Sequence, residues 1–227
     1  MRGRGLPEFV VEFDRRIDAE DDRLDAAAYH RNFAPVLVVL QRVLRDRSGH
    51  VLEIGSGTGQ HVVGFAEALP RLTWWPTDPN PNHLKSIEAW RRHSGLANVA
   101  PPFALDVSDP AERLDGEGRP AGKLAATISM NVIHIAPWPV CEGIMRIAGH
   151  RLVNGGLVGL YGPFMRGGEH TSPSNAAFDE SLRRENPQWG VRAVEAVEEA
   201  AIACGLRLKE IVEMPANNLT LVFVRAG

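Results

Sequence analysis

The chain has 227 residues, of which 44% are hydrophobic and 23% charged, with a formal net charge of −3. This length suits one domain with a sizeable core, and the weak negative charge offers no electrostatic footprint for nucleic acid or an anionic membrane. No stretch is apolar and long enough to span a membrane, and the first 25 residues lack an apolar signal core. We therefore expect a cytoplasmic protein.

An N-terminal arm and a helical segment come first in the chain. Residues 1–24 are rich in Arg, Asp and Glu and are expected to form an arm, which leaves 25–227 as a single domain. A helix is predicted over 25–45, with apolar residues at helical spacing in its second half. Because Pro35 lies inside this span, the helix is expected to break near 32–34 or to start again at Pro35.

Strands and helices alternate after this point. The predicted strands are short apolar runs at 51–54, 72–75, 100–105, 125–130 and 157–161. The predicted helices between them lie at 60–68, 82–93 and 140–152. Strand–helix–strand units place their strands parallel, so this part predicts a parallel sheet with helices on both faces. The segment 109–123 is rich in Gly, Pro and charge and is predicted to be an exposed loop.

A long polar segment and two β-rich runs complete the chain. Residues 162–190 are predicted to form a substrate lid or loop, because long connections in compact domains are usually lids, binding loops or disordered segments. A helix is predicted at 191–203, followed by strands at 206–212 and 219–224 that pair antiparallel across a short connection. The expected α/β fold has a mostly parallel seven-stranded sheet that ends in an antiparallel hairpin.

The most informative stretch is an apolar run that ends in an acid and continues with a glycine at every second position, Val51-Leu52-Glu53-Ile54-Gly55-Ser56-Gly57-Thr58-Gly59. It predicts a buried strand that turns sharply into a helix, with glycines that permit positive φ and close approach of a ligand. Glu53 at the strand tip can accept hydrogen bonds from a ligand ammonium. This layout is typical of an S-adenosylmethionine (SAM) site, with the cofactor-binding candidates Glu53, Gly55, Ser56, Gly57 and Gly59.

A dinucleotide site is the main alternative for this turn. Its fingerprint, Gly-x-Gly-x-x-Gly, lets a pyrophosphate sit on a helix N-terminus. Counted from Gly55 the sixth position is Gln60, and counted from Gly57 it is Val62, so neither register fits. Glu53 would also repel a phosphate. The spacing therefore argues against a nicotinamide dehydrogenase.

Acids also follow the next two predicted strands. Asp78 can accept hydrogen bonds from both hydroxyls of a ribose, and Asp106 can accept from an adenine amino group while Val107 packs on the ring. Ligands of open α/β sheets bind beyond the carboxyl ends of the strands, where these residues are expected to meet. Each acid also has a structural interpretation, Asp78 as a turn residue and Asp106 as a cap.

Candidate catalytic and substrate-binding residues follow the last parallel strands. Asn131 is expected near the methionine part of SAM, and His134 is a candidate general base, with bracing of its loop as the alternative. Tyr161 and His170 are further catalytic candidates. Asn175, Phe164 and Met165 are the substrate-binding candidates of this segment. Asn175 is expected to reach the substrate, and Phe164 and Met165 are expected to shield the methyl group from water.

The sequence resembles class I SAM-dependent methyltransferases in 53–59, Asp78, Asp106 and its strand order. From about Ala26 onward it resembles the methyltransferase-like protein 26 family, in stretches that include Gly-Pro-Phe at 162–164 and His-Thr-Ser-Pro-Ser-Asn at 170–175. The resemblance implies a Rossmann-like methyltransferase fold and SAM use, but no substrate.

One stretch departs from the pattern of the relatives. Tyr29-His30 stand where relatives tend to have Ala-Glu before Arg31-Asn32. If this helix lines the substrate site, Tyr29, Arg31 and Asn32 bind the substrate, and the substrate differs here.

The expected function is methyl transfer from SAM to an oxygen, sulfur or nitrogen atom of a small molecule. The alternatives are a non-catalytic SAM-binding sensor or partner protein and a protein methyltransferase. No metal is expected, although Asp106, Asp109 and His134 are weak candidate ligands. The cysteines, Cys141 and Cys204, have no metal-site spacing and are expected to be small buried side chains rather than a disulfide.

Overall fold

The structure is a computed structural model that describes residues 15–17, 21–111 and 114–227. The strands are β1 (Arg15–Arg16), β2 (Leu24–Asp25), β3 (Gly49–Ile54), β4 (Leu72–Thr77), β5 (Leu124–Met130), β6 (Leu152–Arg166), β7 (Glu169–His170), β8 (Arg192–Ala193), β9 (Leu206–Met214) and β10 (Asn218–Arg225). The helices are α1 (Ala27–Leu44), α2 (Gln60–Ala68), α3 (Pro81–Ser94), α4 (Trp138–Arg151), α5 (Pro173–Glu185), α6 (Val194–Ala203) and the 3₁₀ turn Pro215–Asn217. Most of the predicted arm lies outside the described residues.

The central sheet has the strand order β4-β3-β5-β6-β10-β9. Its first four strands are parallel, and β10 is antiparallel to both β6 and β9. Helical crossovers separate the parallel strands, whereas the turn Pro215–Asn217 joins β9 directly to β10, as the sequence predicted. The predicted α/β Rossmann-like class is confirmed, with a mostly parallel sheet that ends in an antiparallel hairpin.

The predicted strand at 100–105 is reduced to two isolated parallel bridges. Trp74 of β4 pairs with Val99, and Thr77 pairs with Phe103. Between them lie Pro101 and Pro102, which have no N–H to donate to a ladder. This segment still follows the outer edge of β4, in the position of the seventh strand.

α1 runs unbroken from Ala27 to Leu44 with Pro35 inside it, so the predicted break is wrong. Pro35 removes one N–H donor from the helix. The helix continues because its buried face packs against the sheet and α2, where Phe33 stacks on Phe65 with ring centroids 5.5 Å apart.

The segment predicted as a long loop after 162 is largely regular structure. β6 continues to Arg166, Met165 and Arg166 pair with β7, and α5 follows. Ser172 caps α5, because its Oγ accepts a hydrogen bond from the Asn175 amide at 3.2 Å. Few apolar residues mark α5, so hydrophobic periodicity did not reveal it. Its role as a substrate lid stays a prediction.

Helices cover both faces of the sheet. Along β3, Val51 belongs to the core cluster formed with α1, α2 and α3, and Leu52 belongs to the cluster formed with α4 and α6, since alternate strand residues point to opposite faces. Cys141 is buried in the cluster formed with α4 and α6, and neither Cys141 nor Cys204 forms a disulfide. Among the described helices, none combines the length and apolar character that a transmembrane span requires.

Gly143 of α4 allows this helix to approach the chain that leads out of the bridged segment. A Cβ built on Gly143 would lie 1.8 Å from the carbonyl oxygen of Val107, a backbone atom that cannot rotate away. We expect Gly143→Ala to lower the free energy of unfolding by about 1–3 kcal/mol through overpacking. Urea denaturation would measure this loss, with the exposed neighbour substitution Glu142→Ala as control. Equal midpoints for the two variants would contradict the close approach.

Candidate functional site

The turn between β3 and α2 leaves open space at its centre. Gly57 adopts φ 56°, and a Cβ built on it would meet no atom within 4 Å. Gly59, at φ 91°, is fixed instead by packing, because its Cβ would lie 2.7 Å from the Cα of Ile87. The two glycines thus have different roles: one holds α2 close to α3, and the other leaves bare backbone that a ligand can approach.

Glu53, one residue before the end of β3, has a buried carboxyl group. The residue is 2% exposed, and its Oε2 has no hydrogen-bond partner within the described part of the chain. Burial, together with the charge of Asp78, raises the pKa of Glu53 to about 8, although a hydrogen bond from Ser56 acts in the opposite direction. An unpartnered buried carboxylate is costly. A cationic hydrogen-bond donor would remove this cost.

Asp78 follows β4 and connects it to the glycine turn. Its Oδ2 accepts a hydrogen bond from the Gly57 amide at 3.0 Å, and its Oδ1 accepts from the Asn80 amide at 2.9 Å. His83 Nδ1 lies 3.1 Å from the same Oδ1. Asp78 therefore has a turn-forming role. Binding of ribose hydroxyls by its remaining lone pairs stays a prediction.

Asp106 and Val107 lie beyond the bridged segment. Asp106 is exposed, and its Oδ1 accepts hydrogen bonds from the Ser108 amide at 3.0 Å and the Ser108 hydroxyl at 2.6 Å. Val107 is only 3% exposed and packs in the core. The structure thus shows Asp106 as a turn residue, and contact of this pair with adenine stays a prediction.

A cavity of about 590 Å³ lies beyond the carboxyl end of β5, next to residues 161–163 of β6. Five of the predicted site residues line it together, although they come from α1, the end of β5, β6 and α5: Arg31, Asn32, Asn131, Tyr161 and Asn175. It is also lined by residues that the sequence analysis did not select, namely Ala26, Ala27, Ala28, Ile135, Pro163, Ser174, Phe178, Leu182 and 215–218.

Left-handed backbone conformations cluster around this cavity. Within the described residues, the non-glycine residues with positive φ are Asn131 (59°), Ala216 (57°) and Asn217 (58°), and all three line the cavity. Such conformations are costly and concentrate at functional sites. Asn adopts them more readily than most residues, so the Asn217-Asn218 pair was a usable signal, whereas nothing in the sequence marked Ala216.

His134 lies outside the cavity lining. It is 1% exposed, it packs edge-on against Phe164 with centroids 5.0 Å apart, and neither ring nitrogen has a hydrogen-bond partner within the described chain. Burial and the charge of Arg192 lower its pKa to about 3, which keeps the ring neutral. Arg192 itself braces the loop after β5 by donating to the carbonyls of Ile133 (2.9 Å) and Ala136 (2.7 Å).

Other predicted residues are also separated from the cavity. Phe164 is fully buried in the core, and Met165 belongs to the pairing of β6 with β7 and β8. His170 Nε2 lies 3.5 Å from Asp179 Oδ2. The Tyr29 ring packs on Phe33 and His61 rather than facing the cavity. The strand and helix directions, which a linear pattern does not specify, turn these side chains away.

The family of the chain follows from its match to a family model. Residues 23–225 match the model described as protein of unknown function (DUF938). The chain belongs to this family. The family description assigns no activity.

Several solved methyltransferase structures have a fold similar to that of this chain. An O-methyltransferase family protein from Burkholderia thailandensis superimposes with TM-score 0.69 at 16% identity, over 85% of this chain and 56% of its own. Human N-acetylserotonin methyltransferase, in complex with SAM, gives 0.68 at 11% identity over 88% and 53%. An O-methyltransferase family 2 protein from Planctomyces limnophilus, in complex with apigenin, gives 0.64 at 17% identity over 79% and 50%. The chain thus spans little more than half the length of these structures, and at such identities the likeness shows the fold alone.

The pKa of Glu53 generates a prediction about stability. The carboxyl group titrates near 4.5 in the unfolded chain and near 8 in the folded one. Its contribution is therefore fully present below about pH 4.5 and is lost as the pH rises to about 8. Because glutamine stays neutral, we expect Glu53→Gln to gain a few kcal/mol of stability relative to the ligand-free wild type across this window. Urea denaturation at several pH values would measure the difference, and a constant difference would contradict the shifted pKa.

Proposed function

We propose that this chain is a SAM-dependent methyltransferase that acts on an oxygen, sulfur or nitrogen nucleophile of a small molecule. The observation that carries the proposal is the buried, unpartnered Oε2 of Glu53 beside the open turn at Gly57. A carboxylate in this position suits a ligand with an ammonium group and disfavours one with a phosphate. The resemblance to the methyltransferase-like protein 26 family supports the same proposal.

The residues present fit SAM. Glu53 would accept from its ammonium group, the backbone of 55–59 would lie along it, and Asp78 would accept from its ribose. The proposal further assigns Asp106 and Val107 to adenine and Asn131 to the methionine part. When bound, SAM supplies a methyl group on a sulfonium, which is a good leaving group.

The chain then contributes to the reaction by orienting the two reactants and by excluding water. Oriented reactants can gain about 7–11 kcal/mol in favourable cases, so a dedicated base is needed only for a nucleophile that is protonated at working pH. Among the catalytic candidates, Tyr161 lines the cavity, whereas His134 and His170 do not. We therefore propose Tyr161 as the residue that contacts the acceptor, and His134 as a positioning residue behind it.

The cavity favours an enzyme that modifies small molecules. A SAM sensor would keep the cofactor residues without needing an acceptor cavity next to them. A protein methyltransferase would need an open groove, but here Asn175 Nδ2 donates to the Asn217 carbonyl at 2.9 Å and joins α5 to the turn 215–217. This link joins two parts of the cavity lining, which favours a small acceptor over a polypeptide.

Calorimetric titration with SAM, S-adenosylhomocysteine and NAD tests the cofactor. We expect micromolar binding of the first two and none of NAD, and a loss of about tenfold in SAM affinity for Asp78→Ala, because the ribose hydroxyls lose their acceptors. The exposed Asp115→Ala serves as control. Absence of binding by both sulfur compounds would overturn the proposal. Full affinity in Asp78→Ala would leave Asp78 with its turn role alone.

The position of His134 generates a separate prediction. We expect His134→Ala to slow turnover more than it weakens SAM binding, because its ring packs behind β6 next to Phe164 rather than at the glycine turn. Release of S-adenosylhomocysteine with an identified acceptor gives the rate, and calorimetry gives the SAM affinity. If both fall to the same extent, His134 has only a scaffold role.

A further inference from the structure

The start of α1 forms part of the cavity lining and is held in place by a side chain of α2. Ala26, Ala27, Ala28 and Asn32 line the cavity, and we call these four residues the α1 wall. Ala26 is the N-cap residue of α1 and provides no side-chain cap. Its amide donates to Gln60 Oε1 at 2.8 Å. The position of the α1 wall therefore depends on a residue outside α1.

Gln60 connects this wall to the glycine turn at 55–59. It is the first residue of α2, directly after the turn, and is 5% exposed. Its Oε1 also accepts from the Thr58 hydroxyl at 3.0 Å, and its Nε2 donates to Asp25 Oδ1 at 2.7 Å. A buried amide whose oxygen and nitrogen are both bonded fixes its neighbours relative to one another. Gln60 thus joins the turn residue Thr58 to the chain that enters α1.

A second link joins the same two parts of the chain through α3. The hydroxyl of Ser86, which is fully buried, accepts from the Leu24 amide at 2.8 Å and donates to the Thr58 carbonyl at 2.7 Å. Trp90 Nε1 donates to the Leu24 carbonyl at 2.9 Å. Thr58 is therefore the common point of both links, since its hydroxyl contacts Gln60 and its carbonyl contacts Ser86.

The first turns of α1 and α2 are also in direct contact. His61 Nε2 lies 2.7 Å from Asn32 Oδ1 and donates to it, because an amide oxygen can only accept. At Gly64 a Cβ would lie 2.5 Å from the Phe33 ring, so the helices approach closely there. A ligand that stabilises the start of α2 therefore also stabilises the α1 wall.

We propose that cofactor binding at the glycine turn orders the α1 wall of the acceptor cavity, with Gln60 as the positioning residue that transmits the effect. The bound cofactor stabilises the turn, and the links at Thr58 then make local opening of the wall less frequent. By linkage, an acceptor that contacts the wall tightens cofactor binding by the same factor. This inference concerns the regulation of the proposed methyltransferase site and rests on that function.

Amide hydrogen exchange of the full chain, followed by mass spectrometry, tests the inference with S-adenosylhomocysteine as the probe. We expect saturating S-adenosylhomocysteine to slow exchange in peptides that cover 26–33 about 5-fold or more, as a coupling between two sites would. Peptides of α5 are the internal control, because α5 lines the same cavity but is bonded to the turn at 215–217. Unchanged exchange at 26–33 in the bound protein, or equal slowing in α5, would overturn the inference.

A substitution at Gln60 locates the transmission. We expect Gln60→Ala to bind S-adenosylhomocysteine but to lose the slowing at 26–33, because the Ala26 amide loses its acceptor. Asn98→Ala is the matched control, since Asn98 Nδ2 donates to the carbonyls of Ala66 and Leu72 at the other end of α2. We expect it to keep the wild-type slowing.

Two results with Gln60→Ala would contradict its positioning role. Slowing at the wild-type level would show that the effect does not pass through Gln60, and loss of S-adenosylhomocysteine binding would place Gln60 in the cofactor site itself. Ser86→Ala cuts the second link and replaces Gln60→Ala if that variant does not fold, with the same expected loss of slowing.

The same experiment separates the two proposals. S-adenosylhomocysteine affinity is measured by calorimetry for each variant before exchange begins. Binding by the wild type without slowing at 26–33 would reject the ordering of the α1 wall and keep the methyltransferase. No S-adenosylhomocysteine binding by the wild type would reject the methyltransferase, and with it the ordering.

Discussion

The hydrogen bond from the Gly57 amide to the Asp78 carboxylate joins the ends of two parallel strands, and the candidate cofactor site depends on it. It is reinforced by the Ser56 amide, which donates to the Thr77 carbonyl at 2.8 Å. Together these bonds hold the glycine turn against the end of β4. The Glu53 carboxyl group lies buried next to this turn, and its burial raises its pKa and favours a cationic partner.

A second constraint operates on the other half of the sheet. The backbone of Ala216 and Asn217 adopts left-handed conformations, and the Asn217 carbonyl accepts a hydrogen bond from Asn175 of α5. The turn therefore stays in a costly conformation because another element holds it there. Its consequence is a cavity wall in which Asn218 can reach the Tyr161 hydroxyl. The cavity thus forms in part where α5 is linked to the turn between β9 and β10.

The sequence indicated which residues lie together at the candidate cofactor site better than it indicated which residues line the cavity. Glu53, the glycines and Asp78 lie at the ends of neighbouring strands, and a parallel sheet brings such ends to one edge whatever the details of packing. Tyr161 and Asn175 both line the cavity, and their contact with a substrate stays a prediction. In contrast, His134 and Phe164 face the core, because a residue near a strand end can point either into the cavity or away from it, and strand periodicity does not extend into the following loop.

What the sequence by itself determined is the order of the elements and the chemistry at the strand ends. Alternating apolar runs and helical patterns impose a parallel sheet, and a short connection imposes the antiparallel hairpin. What only the tertiary structure decided is the cavity, the left-handed turn and the hydrogen bond from Asn218 to Tyr161. These depend on residues as far apart in the chain as Asn32 and Asn218, which line the same cavity, and local patterns carry no information about such proximity because side-chain orientation is fixed by packing.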